Sequence, residues 1–293
     1  MLPRHRIGWG YRACTRGATH NAVMEISGIA TYAQLRGSGA SRRDINDALA
    51  TGVIRRLMRG WYEFRDADPD VARALELKGR LGCLSGCASY GLWVPAVYAL
   101  HVVYGDGARY PHLPGLFQHV SSAPHPRTPV WPLKDCLAQV AQRHSAEEAL
   151  VVLESALNLR LIKPDEIHEV LGHPTRSRIR LAKHLDVAES GSETRVRLFL
   201  RRCRVPVRPQ VNIRPIGRVD LLVGERLIIE CDGAAFHRSA EQHEIDRSRD
   251  LAARDLGLDT LRLSYRQIWD QWPETQASLL RQIRRRKHIN RSR

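Results

Sequence analysis

The hydrophobic and polar positions divide the chain into three stretches with different periods. From Gly28 to Phe64 they read helix, turn, helix, hairpin. Ile29 to Leu35 spaces its apolar residues as a short helix, and Gly37-Ser38-Gly39 supplies a turn. Ser41 followed by Asp44 is close to a capping box, which predicts a second helix over Arg42 to Ala50. That helix turns Ile45, Ala48 and Leu49 inward, leaves Arg42, Arg43 and Asn46 outside, and ends at Gly52. Val53 to Leu57 and Gly60 to Phe64 alternate as a small hairpin around Met58-Arg59.

Asp66 to Asp70 contains Pro69 and reads as a linker. Val71 to Val103 is apolar and rich in Ala, Gly and Leu; it predicts a helix, a break at Ser85-Gly86, and a helix or strand ending near Pro95. Tyr104 to Pro132 is rich in Pro, Gly and His. Its histidines, with His101, are not spaced as a metal box, which predicts a loop region with solvated imidazoles. Leu133 to Leu161 has helical spacing, and Ser145 with Glu148 forms a capping box for its second helix. Shorter helices are expected over Lys163 to Val170 and Arg176 to Leu185. Trp93 and Tyr90 are expected in a core rather than as base-stacking platforms.

Ser190-Gly191-Ser192 reads as a flexible joint, followed by an amphipathic helix from Glu193 to Cys203. Arg204 to Ile213 is a strand interrupted by Pro206 and Pro209, and Asp259 to Ser264 a last short strand. The helix over Glu241 to Leu256 is expected to bury Ile245, Leu251, Ala252 and Leu256, with Asp246 and Arg249 paired on its surface. Gln267 to Arg286 closes the fold, and the chain ends in a basic tail.

Between those strands, two apolar runs flank Gly224-Glu225-Arg226, the kind of polar break that closes a hairpin. If these three residues form the loop, Val223 faces Leu227 and Asp220 faces Glu230, so both acids point to one side. Asp232 shares that side by strand alternation. The other side then carries Val219, Leu221, Val223, Leu227, Ile229 and Cys231. Three carboxylates held together repel unless protons or a cation neutralise them, and Mg²⁺ or Mn²⁺ suits an all-oxygen site. The alternative is a salt-bridge network with Arg218 or Arg262 as the partner.

The 293 residues suffice for two or three domains, and 43% hydrophobic content is ordinary for a globular protein. A formal net charge of +15 favours a polyanionic partner such as nucleic acid. The longest apolar window, Tyr90 to Tyr104, holds Pro95 and His101 and is too short to cross a bilayer, so no membrane partner is expected. Six scattered cysteines fit a reduced, cytoplasmic protein; Cys83 and Cys87 would need two more ligands to bind zinc, and no such site is expected. Residues 1–23 are basic, without an apolar core for a signal peptide, and are predicted to be disordered.

The Asp220, Glu230 and Asp232 pattern resembles the PD-(D/E)XK nuclease core. Gly233, Phe236, His237, Asp246, Arg249, Leu251, Gly257 and Arg262 narrow the likeness to Vsr-like (very-short-patch-repair-like) endonuclease domains, over roughly residues 190–287. The resemblance implies a restriction-endonuclease-like mixed sheet flanked by helices, and Mg²⁺-dependent phosphodiester hydrolysis with Asp220 and Glu230 as metal ligands. It also implies that an acid on the preceding helix, Glu193, lies near the metal. Asp232 stands where most of the superfamily has Lys, and His237 is then the expected base. Asp246, Arg249 and Arg262 are expected to support the site.

The short helix, glycine turn, polar helix and basic hairpin of residues 24–66 resemble the winged helix-turn-helix of AbiEi-family antitoxins, and residues 71–188 resemble the mainly helical second part of that architecture. The likeness makes Arg42, Arg43 and Asn46 groove contacts and Arg55, Arg56 and Arg59 phosphate contacts with DNA. It also implies a toxin or restriction-system partner. The fold class expected is α/β, α+β overall. The function expected is a Mg²⁺-dependent DNA endonuclease, against a non-catalytic DNA-binding regulator of the antitoxin type and a nuclease acting on RNA.

Overall fold

The computed structural model describes residues 28–95, 99–172, 180–233 and 240–289. The predicted basic leader and the helix start near Arg176 lie outside these residues. The fold is α+β, with helices flanking mixed sheets. Residues 28–152 with 159–182 form one compact unit, and 153–158 with 183–289 form the other. No described helix is long and apolar enough to cross a membrane.

The first unit opens with β1 (Ile29–Thr31), α1 (Tyr32–Gly37), α2 (Arg42–Ala50), β2 (Ile54–Met58) and β3 (Trp61–Phe64). The residues at the start of the expected first helix form β1 instead, because Thr31 caps α1 through its hydroxyl, which accepts from the Gln34 amide at 3.3 Å. Ser41 and Asp44 form the expected capping box of α2, with bonds of 3.1 and 2.7 Å. The sheet order is β1-β3-β2, and Leu35, Ile45, Ile54 and Tyr62 close a small core beneath it.

Asp66 to Asp70 is not a free linker. Asp68 caps α3 (Pro69–Glu76), accepting from the Asp70 and Val71 amides at 2.8 and 3.2 Å. Val71, Ala74 and Leu75 then share one core with Ile29, Trp61, Val102 and Tyr104. Gly28 is held where φ is +60° and a Cβ would come within 2.6 Å of Ala67 Cα. Residues 28–64 and α3 therefore pack as one body.

The middle stretch adds β4 (Arg80–Leu81), α4 (Cys83–Ser89), β5 (Leu100–Gly105), β6 (Leu116–Ser121), α5 (Leu133–Arg143), α6 (Ala146–Asn158) and α7 (Ile167–Leu171). It carries a three-stranded sheet, β4-β5-β6, beside its helices. Ser85-Gly86 is no break. It lies inside α4, where Gly86 lets α5 approach so closely that a Cβ would sit 2.5 Å from Cys136 Sγ. The predicted solvated histidines are corrected too. His101 and His119 lie on the parallel pair β5–β6 and are only 3% and 5% exposed. The Pro- and Gly-rich run between the strands is the crossover that a parallel pair requires. Burial, then the neighbouring imidazoles, pulls His101 down to about 3. Burial and nearby positive groups pull His119 to about 4. Both rings are therefore neutral at pH 7.

The second unit is built on a four-stranded sheet, β10-β9-β8-β7, from β7 (Val207–Ile213), β8 (Gly217–Val223), β9 (Leu227–Asp232) and β10 (Asp259–Ser264). Pro209 is tolerated because β7 is an edge strand. The β8–β9 hairpin has the expected three-residue loop, with Val223 opposite Leu227 and Leu221 opposite Ile229. The packing differs at one point. Leu221, Val223, Leu227 and Ile229 face α8 (Gly191–Arg202), α10 (Tyr265–Trp269) and α11 (Trp272–Arg284). Val219 packs instead with Leu222, Ile228 and Ala253 of α9 (Ala240–Asp255). The alternation slips across Asp220, level with Gln210 on β7, whose φ is +52°.

Two further expectations change. Ser190-Gly191-Ser192 is the start of α8, not a joint: the Ser190 hydroxyl caps the helix, and Gly191 and Ser192 are buried. On α9 the buried side carries Asp246 and Ala253, while Ile245, Leu251 and Leu256 are exposed. The tail begins docked, because the Glu225 amide donates to the His288 carbonyl at 2.7 Å and Lys287 pairs with Asp259 at 3.2 Å. Arg197 of α8 and Glu154 form a buried ion pair within this unit, and Glu154 also accepts from Thr194 Oγ1 at 2.6 Å and the Asp186 amide at 2.9 Å.

Candidate active site

Three acids converge where α8 begins and the β8–β9 hairpin opens. Glu193 is 3% exposed in the first turn of α8. Its Oε1 accepts from Ser190 Oγ at 2.8 Å, and its Oε2 accepts from the Glu189 amide at 3.1 Å and Gln210 Nε2 at 2.7 Å. Gln210 reaches it because the slip in β7 turns that residue, and its Oε1 is buried without a hydrogen-bond partner among the described residues. Asp220 Oδ2 accepts from the Cys231 amide at 2.8 Å, and the Asp220 amide lies 3.4 Å from Glu230 Oε2. Sequence reasoning missed Gln210, since nothing in Pro-Gln-Val distinguishes it from an ordinary strand glutamine.

The partner of Glu230 is Arg249, 3.0 Å away, rather than Arg218 or Arg262. Arg249 also donates to the carbonyls of Ile216 at 3.1 Å and Arg218 at 2.6 Å, which locks its guanidinium over the hairpin. Arg218 pairs with Glu189 at 2.6 Å. Arg262, opposite Glu230 in the parallel pair, lies 3.1 Å from Asp250 and 3.8 Å from the buried Asp246. Of the three residues expected to support the site, Arg249 is turned to the hairpin rather than to Asp246, and Asp246 is set beside Arg262. Asp232 ends β9 opposite Ser264, half-buried. His237, like Phe236, lies outside the described residues.

The electrostatics show acids short of positive charge. Burial first, and then the Asp220 charge, pushes Glu193 up to about 7. Burial and Asp220 push Glu230 to about 7 against the opposing pull of Arg249. Asp220 is also raised, by burial above all and then by Glu189. Three buried carboxylate groups thus meet with excess negative charge, and Gln210, whose Oε1 is buried without a hydrogen-bond partner among the described residues, bonds the first of them.

The buried acids make stability depend on pH. Glu193 titrates near 7 when folded and near its ordinary 4.5 when unfolded. Its contribution to stability is complete below the unfolded value and is lost as pH rises through about 7. The loss is on the order of 3 kcal/mol for one such carboxyl. Without divalent ions, thermal melting of the parent should fall relative to Glu193→Gln between roughly pH 5 and pH 8. Parallel curves for the two proteins would refute the assignment.

In the first unit, Arg42, Arg43 and Asn46 are exposed on α2, and Arg56 and Arg59 are exposed on the hairpin. Arg55 differs. It is ion-paired with Glu63 and with Glu76, the latter at 2.8 Å, which raises its pKa further. No family model matches the chain, and no curated protein is significantly similar to it.

Proposed function

We propose that the chain is a Mg²⁺-dependent DNA endonuclease with an N-terminal DNA-docking element. The observation that carries this reading is the convergence of Glu193, Asp220 and Glu230, all raised in pKa, beside an unpartnered amide oxygen. Acids this buried cost free energy unless they are paired or neutralised, and such uncompensated groups cluster at functional sites. The likeness to Vsr-like nucleases rests on the same Asp220 and Glu230. Bound by these carboxylates, Mg²⁺ (or Mn²⁺) supplies charge neutralisation and polarises a phosphodiester oxygen. Arg249 orients Glu230. Ser190 and Gln210 orient Glu193. The resemblance assigns proton abstraction from water to His237, with Asp232 in place of the common lysine. Free cysteines among the described residues agree with a cytoplasmic protein.

Calorimetric titration of Mg²⁺ and Mn²⁺ into the protein and into Asp220→Asn/Glu230→Gln tests the site. Binding that the double variant loses is the expected result. No binding by either protein, with DNA absent or present, removes the proposal.

For docking, α2 presents Arg42, Arg43 and Asn46, and the hairpin presents Arg56 and Arg59; Arg55, tied to two acids, is the weaker candidate. Arg56→Ala and Arg59→Ala should each lower the slope of log affinity against log salt by about 1. Unchanged slopes would move docking elsewhere. One observation favours a second reading, a DNA-binding regulator of the antitoxin type with a retained nuclease fold. Arg249 already supplies Glu230 with a cation. Salt-sensitive duplex binding without divalent-dependent cleavage of DNA or RNA is its signature.

A further inference from the structure

We propose that Cys83, His101, His119 and His144 form a structural zinc site in the first unit. One ligand atom from each lies within 4.8 Å of the others. His101 Nδ1 is 3.1 Å from His119 Nε2, and His144 Nε2 is 3.1 Å from Cys83 Sγ. These separations are near the edges of a tetrahedron about a zinc ion, whose Zn–N and Zn–S bonds are about 2.0–2.1 and 2.3 Å. One thiolate and three imidazoles are the donor types that zinc selects, and four protein ligands make a closed structural site rather than an open catalytic one.

The fold places each ligand from a different element. His101 and His119 stand on neighbouring parallel strands, Cys83 begins α4, and His144 caps the end of α5. Cys83 adopts a φ of +50°, a left-handed conformation unusual for a residue with a side chain. A Cβ on the preceding Gly82 would sit 2.5 Å from Val103 Cγ2. The chain is thus pressed against β5 at the point where the thiol turns inward.

The surroundings also fit. His144 Nδ1 lies 3.5 Å from Glu148 Oε1, the carboxylate–imidazole relay that fixes the tautomer of a zinc-binding histidine and leaves Nε2 free to coordinate. Glu148 is itself held, accepting from the Ser145 amide at 3.0 Å. The Cys83 amide donates to Gln139 Oε1 at 2.8 Å. Phe117 stacks on His101 with ring centres 4.9 Å apart and covers the cluster. Zinc binding replaces the Cys83 thiol proton, which is released to solvent. The site would tie α4 and α5 to the β5–β6 pair.

The test uses the full chain and the metals alone. Protein purified without chelator is assayed for metal content, then stripped and titrated with Zn²⁺ and Co²⁺. One equivalent of zinc per chain is expected in the parent, in Cys203→Ser, and in Asp220→Asn/Glu230→Gln. Retention in the last variant separates this site from the carboxylates of the second unit. The Co²⁺ form should show a thiolate-to-cobalt charge-transfer band and tetrahedral d–d bands. Cys83→Ser and His119→Gln should lose the bound equivalent. Should either variant fail to fold, the parent still decides: chelator must lower its melting temperature and Zn²⁺ must restore it. A parent that takes up neither Zn²⁺ nor Co²⁺, a Co²⁺ form without the thiolate band, or full zinc retention by folded Cys83→Ser overturns the proposal.

Discussion

Asp220→Ala and Glu230→Ala should each reduce Mg²⁺-dependent DNA cleavage by about 10³-fold or more while duplex affinity stays within about threefold, because loss of a metal ligand removes several kcal/mol of transition-state stabilisation. As ligands of one ion, the role proposed for them, the two positions would not add, so the double variant should be little worse than either single one. Stability should move the other way. Asp220 raises Glu193 and Glu230, so its removal relieves repulsion between buried acids. Asp220→Asn should therefore melt no lower than the parent at about pH 8 without metal, a trade between activity and stability common to active sites. Glu230→Ala should be the less stable of the two, because it leaves the Arg249 guanidinium without its acid. Steady-state cleavage, duplex binding and melting on one set of proteins decide the matter. Variants that cut as well as the parent would remove the site assignment. A parent that binds duplex and cuts nothing would favour the regulator.

The hairpin of the second unit was legible because its signals are local. Gly224-Glu225-Arg226 is a polar break between apolar runs, and its loop length fixes which residues face each other. That was enough to bring Asp220 and Glu230 together. It was not enough to place Val219, because the slip at Asp220 depends on Gln210 of another strand. The capping boxes at Ser41 and Ser145 were readable for the same local reason. The histidine cluster was not readable, since its ligands come from four elements and meet only when β5 and β6 pair in parallel. Helix α9 misled in a different way. Its larger apolar residues are exposed, while its buried side carries Asp246 and Ala253 and sets Arg249 against the sheet. A site that recruits charged residues from a helix defeats a reading that assigns the apolar stripe to the core.

The largest stability effect in the second unit is expected at Arg197, fully buried with its Glu154 partner. Arg197 also donates to the His184 carbonyl at 3.2 Å, and Glu154 accepts from Thr194 Oγ1 and the Asp186 amide. Thr194 is the next residue after Glu193, so this network anchors the turn that presents that buried acid. Arg197→Met leaves a buried carboxylate uncompensated and should cost about 3–5 kcal/mol. For a unit of this size that lowers the melting temperature by roughly 10 °C or more. The loss should depend on pH. Burial already raises Glu154, and Arg197 is the largest opposing influence. Without it the folded pKa climbs further, so Arg197→Met should be most stable below the unfolded carboxyl value and weaken as pH rises. Adding Glu154→Gln to Arg197→Met should recover about half of the loss, because the glutamine oxygen still accepts from the Asp186 amide, its NH2 can donate to Thr194 Oγ1, and it carries no charge. Recovery at pH 8 and little at pH 5 would identify the buried charge as the cause. Equal losses in the single and double variants at both pH values would assign the cost to packing instead.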